Sequence, residues 1–254
     1  MTIHPTPVPA PPWRGLVDAH AHPTRYPDPH AYLRQQWNMG LEAVFAAGTS
    51  PQDWPHIHAL CQNYPMRVWG CLGIHPYWAA LASRAQNQDA LDRLASHLAQ
   101  TPPGICAIGE CGLDAGYPNL PQQQWVFRAQ IDMARQYKLP LVVHCVKTWH
   151  DMQSYLKQHS GHAIFHAFNA GPQIQQWILD QGHFISLGRS LLRTPAPRIT
   201  PALASRCLIE SDNDARHSEA PMDRLFDLSP LSSIDQLAQN IAKAYNIHMA
   251  GAFS

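Results

Sequence analysis

The chain has 254 residues, enough for one large barrel-type domain with an ample buried core. Its 18 Lys and Arg balance 18 Asp and Glu, so no broad attraction to nucleic acid or an anionic membrane is encoded and any polyanion has to be held locally. The 16 histidines are many for an ordinary soluble protein and agree with metal chemistry, while no run approaches the roughly 18 apolar residues of a bilayer span.

In chain order, residues 1–13 (MTIHPTPVPAPPW) are rich in Pro and lack the basic and apolar parts of a signal peptide, which predicts a flexible tail ahead of one domain over 14–254. Short apolar or β-branched runs then recur at 15–19, 42–48, 67–73, 104–109, 140–145, 162–167, 183–188 and 206–210. Amphipathic helices are expected between and after them, at 29–40, 52–63, 88–100, 121–138, 149–159, 172–181, 195–204 and 231–246. Continuous apolar strands alternating with helices indicate a parallel sheet covered on both faces. Eight such units predict an α/β fold, a single-domain (β/α)₈ TIM barrel, with a doubly wound open sheet as the alternative. The stretch 190–201 (SLLRTPAPRITP) is the least regular and reads as a loop after the seventh strand. Cysteines 61, 71, 106, 111, 145 and 207 lie mostly in apolar runs and never as C-x-x-C, which argues for reduced thiols in a cytoplasmic protein.

The segment LVDAHAH at 16–22 sets His20 and His22 two apart on the first strand, so both side chains point the same way. Glu110 ends the fourth run, His144 the fifth and His166 the sixth, and Asp212 follows the eighth. Active sites of such barrels form where the strands finish, so four imidazoles and two carboxylates are expected around one opening. Three protein ligands and a water suffice for one catalytic zinc; six ligands fit two divalent ions sharing a carboxylate. Two such ions, two carboxylates and a hydroxide leave roughly one positive charge, which suits an anionic ester such as a phosphodiester. His56 and His58 repeat the H-x-H spacing on an expected helix, where they diverge, and are assigned no role. The remaining histidines, His159, His183, His217 and His248 among them, are expected mostly on solvated helix faces and turns.

Over residues 16–246 the chain resembles the TatD family of metal-dependent deoxyribonucleases, within the amidohydrolase superfamily of barrels. The resemblance rests on DAHAH, GIHP at 73–76, IGECGLD at 108–114, QQQWVFRAQIDMARQYKLPLVVHC at 122–145, FHAFNAG at 165–171 and ESD at 210–212. It implies that His20, His22 and Asp212 hold one metal, that His144 and His166 hold the other, and that Glu110 bridges them. Asp212 also takes the proton of the attacking water, as a carboxylate within hydrogen-bond reach of that proton can. His75 is then a phosphate contact or a supporting group, the structural alternative being a helix cap before Pro76. Asp114 either orients a ligand or closes a turn; with Lys147 these are the expected substrate-side residues. Softness favours zinc or manganese for a histidine-rich set, with magnesium also open.

The chain departs from the family where Val146, followed by Lys147, stands in place of an arginine two residues past His144, where Ala167 replaces a cysteine, and where NDARHSEAPMDRL follows ESD. A lysine offers a point charge without the guanidinium fork. Arg25, Arg189, Arg193 and Arg216 also fall on expected loops, with Trp78, Trp149 and Phe168 available to stack on bases. Neutral overall charge favours a short single-stranded end in a metal-lined pocket over a long duplex. The expected activity is metal-dependent cleavage of DNA phosphodiesters by an exonuclease. The alternatives are a hydrolase of a small phosphoester, amide or lactone, and a metal-binding component of a larger assembly without catalysis. No protein partner is legible.

Overall fold

A computed structural model describes residues 13–100, 102–157, 159, 161–194, 198–216 and 220–247. The expected tail up to residue 12, His217 and His248 lie outside the described residues. Trp13, assigned to the tail from sequence, is instead 2% exposed. Its indole packs edge-on against Phe45 and Trp69, and burial of that ring outweighs the flexibility of the Pro-rich stretch before it.

Eight strands run in sequence order as one parallel sheet: β1 Leu16–Ala21, β2 Leu41–Ala47, β3 Val68–Leu72, β4 Ile105–Asp114, β5 Leu141–Val146, β6 Ala163–Phe165, β7 Phe184–Leu187 and β8 Cys207–Ile209. Helices follow the strands: α1 Pro29–Asn38, α2 Trp54–Asn63, α3 Pro76–Leu81, α4 Arg84–Ala99, α5 Leu120–Tyr137, α6 Trp149–Leu156, α7 Pro172–Gln181, α8 Met222–Leu228 and α9 Ile234–Ala244. This is the expected (β/α)₈ barrel, and its strands are buried almost throughout, as a sheet wrapped by helices requires.

The short helices α3 and α8 were not expected, and two of the expected helices differ. The helix expected at 195–204 is not formed in its described part; a 3₁₀ turn at Pro201–Arg206 stands there, because Pro201 lacks a backbone donor and holds Thr200 before it in the extended region. The helix α4 starts at 84 rather than 88, set by a capping box in which Ser83 accepts from the Gln86 amide and the Gln86 side chain accepts from the Ser83 amide.

Buried glutamines on α5 hold the strand ends that carry the site. Gln123 accepts from the Asp114 amide (2.9 Å) and donates to its carbonyl (3.1 Å), while Gln130 makes the same pair with Ile74 (2.8 and 3.0 Å). Each satisfies backbone groups that have left the ladder. Gly112 has φ +141, and a Cβ there would lie 2.0 Å from the His144 carbonyl oxygen, so β4 can press against β5 between Glu110 and Asp114 only with glycine.

Candidate metal centre

Glu110, buried at the middle of β4, stands between two groups of imidazoles. Its Oε2 lies 3.5 Å from Nε2 of both His20 and His22; its Oε1 lies 2.8 Å from His166 Nε2, 2.9 Å from His144 Nδ1 and 3.1 Å from His75 Nε2. Asp212 Oδ1 is 3.3 Å from His22 Nε2 and 3.9 Å from His20 Nε2. All six residues expected as ligands therefore meet at one centre, with Glu110 inside β4 rather than at its end because that strand runs on to Asp114, and His75 joins them. Candidate ligand sets with every atom within 4.8 Å of the others are His20, His22 and Asp212; His20, Glu110 and His166; and His75, Glu110 and His144.

The outer partner of each imidazole decides which nitrogen faces the centre. His22 Nδ1 donates to the Ala47 carbonyl (2.9 Å), so Nε2 keeps its lone pair inward. His144 Nε2 donates to Asp114 Oδ2 (3.0 Å), which turns Nδ1 inward, and His166 Nδ1 lies 3.5 Å from Glu210 Oε1 with Nε2 inward. His20 Nε2 is buried and has no hydrogen-bond partner. Inward nitrogens on His22 and His144 backed by a carbonyl and a carboxylate, with two orphaned buried nitrogens beside them, His20 Nε2 and His166 Nδ1, are the donor chemistry a divalent cation requires, so the residues fit a metal. His75 is the exception: Nδ1 accepts from the Tyr77 amide (2.9 Å), capping α3, so Nε2 carries a proton and acts as donor. It thus serves as the cap expected from sequence and reaches the centre as well.

The same contacts set the titration of the cluster. Burial works to raise the Glu110 pKa, but charge and hydrogen bonds from His166, His75 and His144 take it well below the usual value, and Glu110 in turn holds His166 well above its own against burial. Burial lowers His75 to about 4 and keeps it neutral. Burial likewise opposes ionisation of Asp212, yet His22, His166 and His20 outweigh it and bring the carboxyl to about 2.

Supporting residues were less visible. Asp114 does both things left open by its position: Oδ1 accepts from the Gly116 amide (2.7 Å) and closes a turn, while Oδ2 holds His144. Asp18, on β1 below His20, accepts from the Ser211 amide (2.9 Å) and hydroxyl (2.5 Å), and burial pushes its carboxyl up to about 7. Glu210 is wholly buried and accepts from the Ala167 amide (2.6 Å). Nothing in the apolar pattern distinguishes these carboxylates from turn residues.

A cavity of about 260 Å³ opens over the centre, walled by Arg25, Tyr77, Tyr117, Asp214 and Arg216 in addition to the histidines and carboxylates. Lys147 is exposed on a neighbouring depression that it shares with Trp149, Asn169 and the far sides of His144 and His166. Phe168, expected as a stacking platform, is buried and packs edge-on against Trp149, because the chain after β6 turns it into the core. The exposed aromatic on the cavity is Tyr117 instead. His56 lies exposed on α2, as its helical spacing implies, whereas His159 and His183 are buried rather than solvated, His183 packed against Trp177.

The fold and this cluster define the class: a metal-dependent hydrolase built on a (β/α)₈ barrel. The family model described as TatD related DNase matches residues 17–223, and the chain belongs to that family. It is 26% identical over 208 residues to an Escherichia coli protein named as the uncharacterized metal-dependent hydrolase YjjV, covering 78% of each chain. A protein of Salmonella typhimurium named as the 3′–5′ ssDNA/RNA exonuclease TatD is 29% identical over 155 residues, 58% of this chain and 56% of that one. The crystal structure of E. coli YjjV, described as a TatD homolog, shares the fold at TM-score 0.78 and 22% identity over 91% of this chain and 98% of its own. No helix among the described residues is long and apolar enough to cross a membrane.

Proposed function

We propose that this hydrolase cleaves phosphodiester bonds at the ends of single-stranded DNA. The observation that carries the reading is the division of the Glu110 carboxylate, one oxygen toward His20 and His22 and the other toward His144 and His166, beneath a cavity walled by two arginines. The names of relatives such as the Salmonella exonuclease support a nucleic-acid substrate.

In this reading His20, His22 and Asp212 would hold one divalent ion and His144 and His166 the second, with the Glu110 carboxylate between the two groups; zinc, manganese and magnesium are the candidates. The chemistry such a pair supplies is a lowered water pKa and neutralisation of charge on phosphate oxygens. Asp212 is the proton acceptor. Its side chain is 36% exposed toward solvent and stays ionised at any working pH, with His22 on Oδ1 and Oδ2 assigned the proton of the attacking water. His75, neutral and fixed as an Nε2–H donor, is assigned a phosphate oxygen. Asp114 keeps His144 oriented, while Glu210 lies 3.5 Å from the outer nitrogen of His166.

The test is digestion of end-labelled single-stranded oligonucleotides by protein stripped with a chelator and resupplied with Zn²⁺, Mn²⁺ or Mg²⁺. Progressive shortening from one end that returns only with metal is expected; no cleavage with any of the three overturns the proposal. A small phosphoester, amide or lactone is the second reading, favoured by the modest cavity, and turnover of such a compound without oligonucleotide cleavage would establish it.

A further inference from the structure

The segment after β8 carries a device at the cavity rim that the centre itself does not need. Asp214, almost fully buried, binds two guanidinium groups from different loops: Arg25 Nη1 at 3.0 Å, and Arg216 Nη2 at 2.7 Å with Nε at 3.1 Å, all on Oδ2. Oδ1 accepts from the Arg216 amide (2.9 Å), which fixes the loop. Arg25 is held a second time, its Nη2 donating to Thr49 Oγ1 at 3.2 Å, and Thr49 in turn donates to Asp53 and bonds the Tyr77 hydroxyl. Both arginines and Asp214 wall the same cavity as Glu110, His144, His166 and Asp212.

Asp214 offsets only one of the two guanidinium charges, and these stand at the rim of a cavity that the carboxylates of Glu110, Asp114 and Asp212 also line. Each arginine also has N–H groups beyond those used on Asp214 and Thr49, in a planar fork suited to paired phosphate oxygens. Were the cluster only a loop clamp, one arginine would neutralise Asp214. A second, on a side chain 69% exposed at the mouth, adds charge that an anion can use. The same cavity is lined by Tyr117, within 6.2 Å of Tyr77 between ring centres, which gives a base or sugar an apolar surface beside that charge.

We propose that Arg25 and Arg216, set in place by Asp214, bind a second phosphate of the substrate, next to the one hydrolysed at the centre. The enzyme therefore prefers substrates that carry an additional phosphate flanking the scissile bond. This rests on the phosphodiesterase reading, and the experiment has one arm independent of it. In that arm, full-length protein freed of metal is titrated with inorganic phosphate, followed by ³¹P line broadening. Wild type is expected to bind, and Arg25→Gln or Arg216→Gln to weaken binding by about tenfold, the worth of one charge-assisted hydrogen bond, with Arg216→Lys in between. In the other arm, metal-loaded enzyme is given the dinucleotide dTpdT with a 5′-phosphate, with a 3′-phosphate, or with neither. One phosphorylated form is expected to exceed the bare dinucleotide in kcat/KM by about tenfold, and Arg216→Gln to collapse that ratio to about two or less.

Phosphate affinity and dinucleotide preference that are the same in Arg25→Gln, Arg216→Gln and wild type overturn the proposal while leaving the hydrolase reading intact. Absence of phosphate binding by metal-free wild type also overturns it. If no dinucleotide is cleaved yet phosphate binding depends on both arginines, the phosphodiesterase reading falls and the anion site stands.

Discussion

Substituting Asp114 by Asn separates its two contacts. The amide oxygen can still accept from the Gly116 amide, so the turn after β4 survives, but the amide nitrogen now faces His144 Nε2. That nitrogen must then accept rather than donate, which moves the imidazole proton to Nδ1, the atom 2.9 Å from Glu110 and 3.0 Å from His166. The inward lone pair is lost. A charge-assisted hydrogen bond of this kind contributes roughly 1.5–3 kcal/mol, which at about 1.4 kcal/mol per tenfold predicts a 10- to 100-fold loss of metal affinity. The carboxylate side chain is 11% exposed, so solvent screens the contact little. Competition against a chromogenic chelator measures the affinity, and chemical denaturation of the metal-free variant is expected to show a change below about 1 kcal/mol because the turn is kept. An affinity within about twofold of wild type for every metal tried would refute the assignment of His144 Nδ1 as a ligand atom, whatever the activity.

Three further outcomes follow from the same geometry. Asp212→Asn should lower kcat for the metal-loaded enzyme by about 10²–10⁴ while circular dichroism stays as in wild type, and near-normal turnover would remove it from the role of proton acceptor. Asp18→Ala strands the buried Ser211 amide and hydroxyl, at a cost of about 2–4 kcal/mol in urea denaturation; a loss under 1 kcal/mol would mean that the tether does not hold the segment. Burial lowers His183 to about 4, so its unfolded form takes up a proton first as pH falls below 6.5. The stability it contributes is complete above that pH and declines through the window down to about 4, by roughly 2–3 kcal/mol at pH 4.5, so His183→Gln should lose less than wild type between pH 7 and 4.5 by that margin. Equal losses would show that this histidine is protonated in the fold.

The eight strands were legible because a parallel sheet buried on both faces writes continuous apolar runs, and the long helices because α5 and α9 keep an apolar stripe over three or more turns. The helices α3 and α8, of six and seven residues, are too short to show a period, although His75 before Pro76 carried the capping signal for the first. The candidate ligands were readable for the same reason as the strands: Glu110, His144 and His166 each close an apolar run, although β4 itself continues past Glu110 to Asp114. Loop residues were not. Lys147 and Arg216 look alike in sequence as cations following a strand, but β5 leaves Lys147 on the neighbouring depression and the loop after β8 bends back so that Arg216 meets Asp214 at the cavity. The difference is set by the course of the loop and by a buried acid two residues away, neither of which has a periodic signature.

The alternation Asp18, His20, His22 at the start of the chain has a single explanation in the way the barrel closes. Among the described residues the ladder pairs each strand with the next from β1 to β8, and no strand pairing joins β8 back to β1. The seam is made by the segment that leaves β8: the Ser211 amide and hydroxyl on Asp18, the Asp212 amide on the His20 carbonyl (3.0 Å) and the His22 amide on the Asn213 carbonyl (2.9 Å). Asp212 takes φ +48 there, a left-handed turn that the flanking bonds maintain and that brings its carboxylate to His22. The residue that closes the barrel and the residue assigned the proton are thus one position apart, and the inward-facing acid of β1 fixes both. A barrel closed by an ordinary β1–β8 ladder would hold the backbone equally well but would give residue 212 extended geometry, with its side chain set by the pleat rather than turned toward the histidines. Closing the seam with side chains and a turn is therefore what brings the first strand and the segment after the eighth to one candidate metal centre.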